Sequence, residues 1–341
     1  MKKRRRRLSS LRRRRTVGEF TRRPQRQKRR RTVPANLSRV LMPALIAVMI
    51  LSLVMIAGIL LRSLRTKKLN GELAALHAVE MEKELSALPF EVEEAPPALT
   101  PEPAASFGPT SAPSLEPSPE AEETADKTRF HQVGGTPLAH MEALYNRNHD
   151  LIGWLSIPDV IELPVMYKDN SYYLTHDFNK DRNASGTIFL DENHRFTEQT
   201  QNLLLHGHNM KDGTMFGRLV HYIQDIDYYR SHPFVRFDTL WETEEYVIFS
   251  VLRVPLDVRD ENFINYFTHP TFLSDASFDA YVRQLQLKSA YAVPIDVKPT
   301  DALLTLSTCI EEDRLVIVCR RIREGESRSR LNDLVRLAQR Q

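Results

Sequence analysis

The chain has 341 residues with 47 Lys/Arg against 44 Asp/Glu, a formal net charge of +3 that conceals a strong asymmetry. Residues 1–39 hold 18 basic side chains and one acid, Glu19, hence +17; the remainder holds 29 bases against 43 acids, hence −14. Two cysteines exclude a disulfide-stapled scaffold and a Cys-rich zinc module, and 42% hydrophobic residues exclude a collagen or a wholly disordered chain.

In chain order, residues 1–39 form a basic tail, and 40–62 read as a transmembrane anchor. The run VLMPALIAVMILSLVMIAGILL (40–61) contains no charge. At ~1.5 Å per residue it reaches ~33 Å, enough to cross a hydrocarbon core of ~30 Å. It exceeds the apolar stretch of a secretory signal, and no small-x-small cleavage site follows it directly. MKKRRRR, LRRRR and RRPQRQKRRR precede the run, whereas only Arg62, Arg65, Lys67 and Lys68 follow closely. Basic residues collect on the cytoplasmic side, so a single-pass cell-membrane protein is expected, with its amino end inside and its body extracellular. The tail has almost no aromatics to stack on bases, so its partner is the lipid bilayer rather than nucleic acid.

Residues 63–90 place Leu69, Leu73, Leu76, Leu85 and Leu88 at near-helical spacing, a juxtamembrane helical stalk with a stripe suited to self-association. Residues 91–129 include eight prolines between 96 and 119 and read as a disordered linker and spacer. The folded domain is expected over 130–323, beginning with an amphipathic helix in PLAHMEALYNRNHD. Seven apolar runs follow: GWLSIP (153–158), IELPVMY (161–167), GTIFLD (186–191), NLLLHG (202–207), EYVIFSVLRV (245–254), ALLTLST (302–308) and RLVIVCRRI (314–322). Short strands parted by Gly/Pro/Asn/Asp turns predict a mainly β, mainly antiparallel sandwich or barrel. One helix intrudes at 275–287, where Phe278, Tyr281, Val282 and Leu285 share a face. Residues 324–341 read as a charged, frayed or weakly helical tail.

Cys309 ends an apolar strand beside polar residues, whereas Cys319 sits inside LVIVC and reads as a small core hydrophobe. The four residues Ile310 to Asp313 suit a hairpin, which would set Cys309 opposite Arg314. A guanidinium there favours a thiolate or takes up charge on a carbonyl oxygen. Glu311, Glu312 and Asp313 oppose a further negative charge. A thiol nucleophile also needs an imidazole within reach. LLLHGHNMKDGTMFG offers His206 and His208 at a strand end, and composition leaves both open. An H-x-H pair is also a metal half-site, but no further ligand set accompanies it.

These residues resemble the sortases, class B in particular, through NRNHDLIGWLSIPDVIELPVMYKDNSYYLTHDF, SGTIFLDENH, NLLLHGHNMKDGTMFGRLVHY, TLSTC and RLVIVCRRI. The resemblance implies a sortase-like eight-stranded β-barrel with a few peripheral helices. It also implies a cysteine transpeptidase that cleaves a carboxyl-terminal sorting motif through a thioacyl intermediate. An amine of the cell-wall peptidoglycan would then resolve that intermediate. By position it makes Cys309 the nucleophile and His208 the catalytic histidine. An arginine on the last strand would steady the oxyanion, Asn170, Leu174, Ser307 and Thr308 would border the peptide groove, and no metal or cofactor is implied. The hairpin favours Arg314, with Arg320 as its rival. His206 stands where the family pattern has an aromatic. A pilin polymerase with a lysine acceptor and a non-catalytic peptide-binding module are the alternative readings.

Overall fold

A computed structural model describes residues 35–87 and 130–341. Most of the expected basic tail and all of the Pro-rich linker, 91–129, lie outside the described residues. The chain divides into two compact units, Met1–Ile56 and Ala57–Gln341.

The strands in chain order are β1 (Leu151–Ile157), β2 (Ile161–Met166), β3 (Ile188–Leu190), β4 (Asn202–His206), β5 (Phe234–Thr239), β6 (Thr243–Val254), β7 (Tyr291–Ala292), β8 (Leu303–Ile310), β9 (Asp313–Arg321) and β10 (Gln339–Arg340). Eight of them close a barrel in the order β1-β2-β3-β4-β8-β9-β6-β5, and β7 pairs with β10 in a separate ribbon. All seven strands expected from apolar runs are present. The eighth is β5, FVRFDT, whose Arg236 and Asp238 disguise it. Val235 and Phe237 fill the barrel while Arg236 and Asp238 alternate to the other face. Most junctions are antiparallel, but β2–β3 and β4–β8 are parallel.

Strands β1–β3 read as nearly continuous apolar runs because both of their faces are buried. Leu155, Ile157, Ile161, Leu163, Val165, Ile188 and Leu190 enter the barrel core. Leu151, Trp154, Met166 and Phe189 belong to a second cluster, with Met141 and Leu144 of α2 (Ala139–Arg147) and Leu73 of α1 (Ala35–Ala87). The remaining helices are α3 (Val220–Gln224), α4 (Ile226–Ser231), α5 (Asp275–Leu287) and α6 (Arg328–Arg336). The expected helix over 275–287 is α5. Ser274 caps it by accepting from Ser277 N–H, and Phe278, Tyr281, Val282 and Leu285 are buried.

Helix α1 is long and apolar enough to cross a membrane, and its large apolar side chains from Leu41 to Leu64 are exposed. Beyond them the pattern becomes amphipathic. Thr66, Leu73 and His77 are buried, with Leu69, Asn70, Glu80 and Glu84 part-buried on the same face. Ser63 donates to Asp212, and Thr66 meets Asn183. The expected leucine stripe is only partly used: Leu73 is 0% exposed, but Leu85 is 72% exposed. The surface that covers this face belongs to the chain's own folded domain.

Residues 324–341, expected as a frayed or weakly helical tail, are helical in α6 and fold onto the barrel. Ser327 caps α6, whose Leu331 and Val335 join the barrel core, and β10 follows. The charges hid a two-residue apolar stripe at i, i+4.

Leu73→Ala is expected to lower the unfolding free energy by about 2–5 kcal/mol. Leu85→Ala should cost less than about 0.5 kcal/mol. Urea titration of the full chain in detergent micelles measures both, and equal, negligible losses would show that α1 docking adds nothing to stability.

Candidate active site

The hairpin of β8 and β9 sets the first half of the site. Its turn is two residues, Glu311 and Glu312, because both strands run further than their apolar cores suggest: Ile310 pairs with Asp313 and Cys309 with Arg314. Glu311 takes a positive φ of 52°, a region that costs a non-glycine residue some strain. Arg253 on neighbouring β6 holds the turn, reaching Glu311 at 2.6 Å and Asp313 at 2.5 Å. Two of the three carboxylates beside the cysteine are therefore paired with a cation. Arg314 Nη1 donates to Sγ of the exposed Cys309.

The second half comes from β4. It lies parallel to β8 with a constant offset of 101, from Asn202 opposite Leu303 to His206 opposite Ser307. Contacts carry that register past the strand end. Gly207 N–H donates to Ser307 O at 3.3 Å, Thr308 Oγ1 donates to Gly207 O at 2.7 Å, and Asn209 Nδ2 donates to Cys309 O at 2.8 Å. His208 thus lies between two residues bonded to 308 and 309, and the offset of 101 brings it level with Cys309.

The motif GHNMKDGTMFG is a closed loop that presents this histidine. Asn209 bridges to Met215, Gly213 N–H donates to Met210 O at 2.9 Å, and Phe216 N–H returns to His208 O at 3.0 Å. The Phe216 ring sits where a Cβ on residue 207 would be, 2.8 Å away, and Met210 O would meet a Cβ on residue 217 at 2.2 Å. Both positions therefore need glycine for close approach. His208 Nε2 lies 2.9 Å from Leu174 O. A carbonyl only accepts, so Nε2 carries the hydrogen and Nδ1 is left for proton transfer.

Leu174 was expected at the groove; its carbonyl orients His208. Asn170 is tied to Asp191, donating from Nδ2 at 3.0 Å, and it accepts from Glu192 N–H at 2.9 Å. Ser307 and Thr308 are each 2% exposed. Ser307 Oγ meets Tyr266 OH at 2.9 Å, and Thr308 holds Gly207, so both side chains already have partners inside the fold. Arg320 pairs with Leu303 at the far end of the hairpin, is fully buried, and grips Glu326 through both carboxylate oxygens at 2.5 and 2.8 Å. Arg314 is the arginine beside the thiol.

Asp191 is a partner that the sequence reading missed, although a carboxylate closing FLD two positions after a buried Phe was its visible sign. It receives His206 Nε2 at 2.9 Å, His194 Nδ1 at 3.4 Å and Asn193 N–H at 2.8 Å. Burial works against its charge, but the hydrogen bonds from His194, His206 and Asn193 prevail and hold its carboxyl well below the usual carboxylate range. His206 and His208 therefore face different partners rather than forming a metal half-site.

A closed eight-stranded barrel with a cysteine at the mouth of its β8–β9 hairpin defines the class, and a Sortase domain family model matches residues 155–322. Sortase B of Listeria monocytogenes is 32% identical over 192 residues, which cover 54% of this chain and 75% of that protein. Sortase B of Staphylococcus aureus is 27% identical over 189 residues, covering 53% and 74% respectively. The crystal structure of sortase B from Bacillus anthracis in complex with AAEK2 matches with a TM-score of 0.51 at 30% identity, over 58% of this chain and 89% of that one. The chain belongs to the class B sortases and is a cysteine transpeptidase.

Two measurements probe this geometry. A thiol reagent should label the native full chain at Cys309 alone, because Cys319 is buried and its thiol is pushed far up by desolvation. Mass spectrometry showing equal labelling of both would contradict the burial described. Asp191→Asn should cost about 1.5–3 kcal/mol at pH 7 by loss of charged hydrogen bonds. The folded carboxyl titrates below its unfolded value, so its contribution is complete above about pH 4 and fades as the pH falls further. The gap in urea midpoint between the two proteins should therefore narrow at pH 3.

Proposed function

We propose that the chain is a single-pass membrane transpeptidase, anchored through residues 40–62 with its amino end cytoplasmic and its barrel extracellular. It joins exported proteins that carry a carboxyl-terminal sorting motif to an amine of the peptidoglycan. The carrying observation is the meeting of two ladders at one rim: Cys309 opposite Arg314 in β8–β9, and the His208 loop beside Cys309 by the β4–β8 register. The charge split between residues 1–39 and the rest supports the orientation.

In this reading Cys309 passes its proton to Nδ1 of His208 as its sulfur attacks the scissile carbonyl carbon, and the oxygen gains charge that Arg314 neutralises. The C–N bond breaks as His208 gives a proton from Nδ1 to the leaving amine. A thioester joins the acyl group to Cys309. The incoming amine then attacks, loses its proton to His208 and forms the new amide, and Cys309 leaves as thiolate. Leu174 O keeps the imidazole turned with Nδ1 free, and Asn209 holds the carbonyl behind the nucleophile. Arg253 draws off the carboxylate charge that would oppose the thiolate.

Cys309→Ala should abolish both cleavage of a sorting-motif peptide and its transfer to a cell-wall-like amine. His208→Ala should lower kcat by about 10²–10⁴, and Arg314→Ala by about 10²–10³. Transfer assays with the full chain in detergent measure all three. Unchanged turnover in Cys309→Ala would end this reading, and exclusive transfer to a lysine side chain would replace the acceptor.

A further inference from the structure

A buried cluster away from the catalytic rim joins three elements. His77 comes from α1, His140 from the first turn of α2 and Asp238 from β5, and all three are buried. Their atoms His77 Nε2, His140 Nε2 and Asp238 Oδ2 are shielded from solvent, and none makes a hydrogen bond. Asp238 Oδ2 lies 3.4 Å from His140 Nε2 and 3.7 Å from His77 Nε2. Burying three such groups with only one another to face, and no hydrogen bond among them, is costly.

The other polar atoms of two of these side chains are already committed. Glu84 Oε2 accepts from His140 Nδ1 at 2.5 Å and from its backbone N–H at 3.1 Å. A carboxylate on Nδ1 places the hydrogen there, so neutral His140 directs a lone pair from Nε2 into the cluster. Arg236 Nε donates to Asp238 Oδ1 at 2.7 Å, which leaves Oδ2 facing the two rings. His77 is stacked on Trp154, with centroids 4.4 Å apart and planes at 8°, and Trp154 is itself held by Glu162. The two imidazoles meet edge to face at 83°.

We propose that His77, His140 and Asp238 bind a divalent zinc ion that fastens α1 to the catalytic domain, with water in the fourth position. Tetrahedral zinc with ligands at about 2.0–2.1 Å requires ligand atoms about 3.3–3.4 Å apart, the scale of the separations seen here. Glu84 on the far nitrogen of His140 is the usual carboxylate support for a histidine ligand. The groups that face the site are Glu84 of α1 and Arg236 of β5, so with zinc bound the two carboxylates offset most of the positive charge.

The test uses the tag-free full chain in detergent, stripped with EDTA and then dialysed against zinc chloride. About one zinc per chain should survive gel filtration, and cobalt in its place should give the intense visible absorption of a tetrahedral site. Glu84→Gln should weaken binding about 10–100-fold, and His77→Gln and Asp238→Asn should weaken it more. Loss of catalysis is not the readout: Cys309→Ala should bind zinc unchanged, so failure of this site and failure of the proposed reaction are separable. Less than about 0.1 zinc per chain without a cobalt band, or equal uptake by all variants, would overturn the site and leave a cluster held by protons alone. The cobalt spectrum of the unsubstituted chain decides this even if a variant fails to fold.

Discussion

The candidate catalytic rim depends on one parallel ladder. β4 and β8 are neighbours in the barrel but far apart in sequence, and five successive pairs keep the same offset. Parallel neighbours demand a long crossover, and here that crossover includes β5, β6 and α5. A histidine loop at the end of one strand and a cysteine at the end of the other can meet only while the register holds. A slip of one residue would turn every side chain of β4 to the opposite face. Thr308 on Gly207 and Asn209 on the Cys309 carbonyl carry the register past the last ladder bond to Cys309 and the His208 loop.

Polar side chains around the rim mostly position other groups. Leu174 sets the tautomer of His208 through its backbone, so the chemistry of that position does not depend on the leucine side chain. Asp191 collects two histidines and two asparagines and binds the strand carrying His206 to the segment carrying Asn170. Arg253 and Arg314 divide the work at the hairpin: one neutralises the turn and the other stays against sulfur. A turn of adjacent acids beside an exposed thiol is workable because a third strand supplies the opposite charge.

Much of this was legible in the sequence. Apolar runs disclosed seven of the eight barrel strands, TLSTC and GHNMKDGTMF disclosed the segments that meet at the rim, and the uncharged run 40–61 disclosed the apolar helix. The misses share a cause, since each involves a side chain whose partner is remote. FVRFDT did not read as a strand because Asp238 and Arg236 face α1 and α2 rather than solvent. The leucines of 63–90 were read as a self-associating stripe because nothing local reveals that a barrel wall covers Leu73. Residues 324–341 looked like a tail because two apolar positions among charges are a weak periodic signal, yet both are buried. Arg314 and Arg320 have similar local surroundings, and only strand register separates them.

Strands β1–β3 have no spare face. Alternate residues are claimed by the barrel interior and by the cluster beneath α1 and α2, so any insertion or deletion would exchange the contents of two cores at once. The stretch from 167 to 187, which supplies Asn170 and Leu174 to the rim, is itself rooted in the outer of these two cores through the buried Tyr173 and Phe178. A change of length there would move the carbonyl that orients His208, so the packing beneath α1 and α2 and the aim of one imidazole are a single constraint.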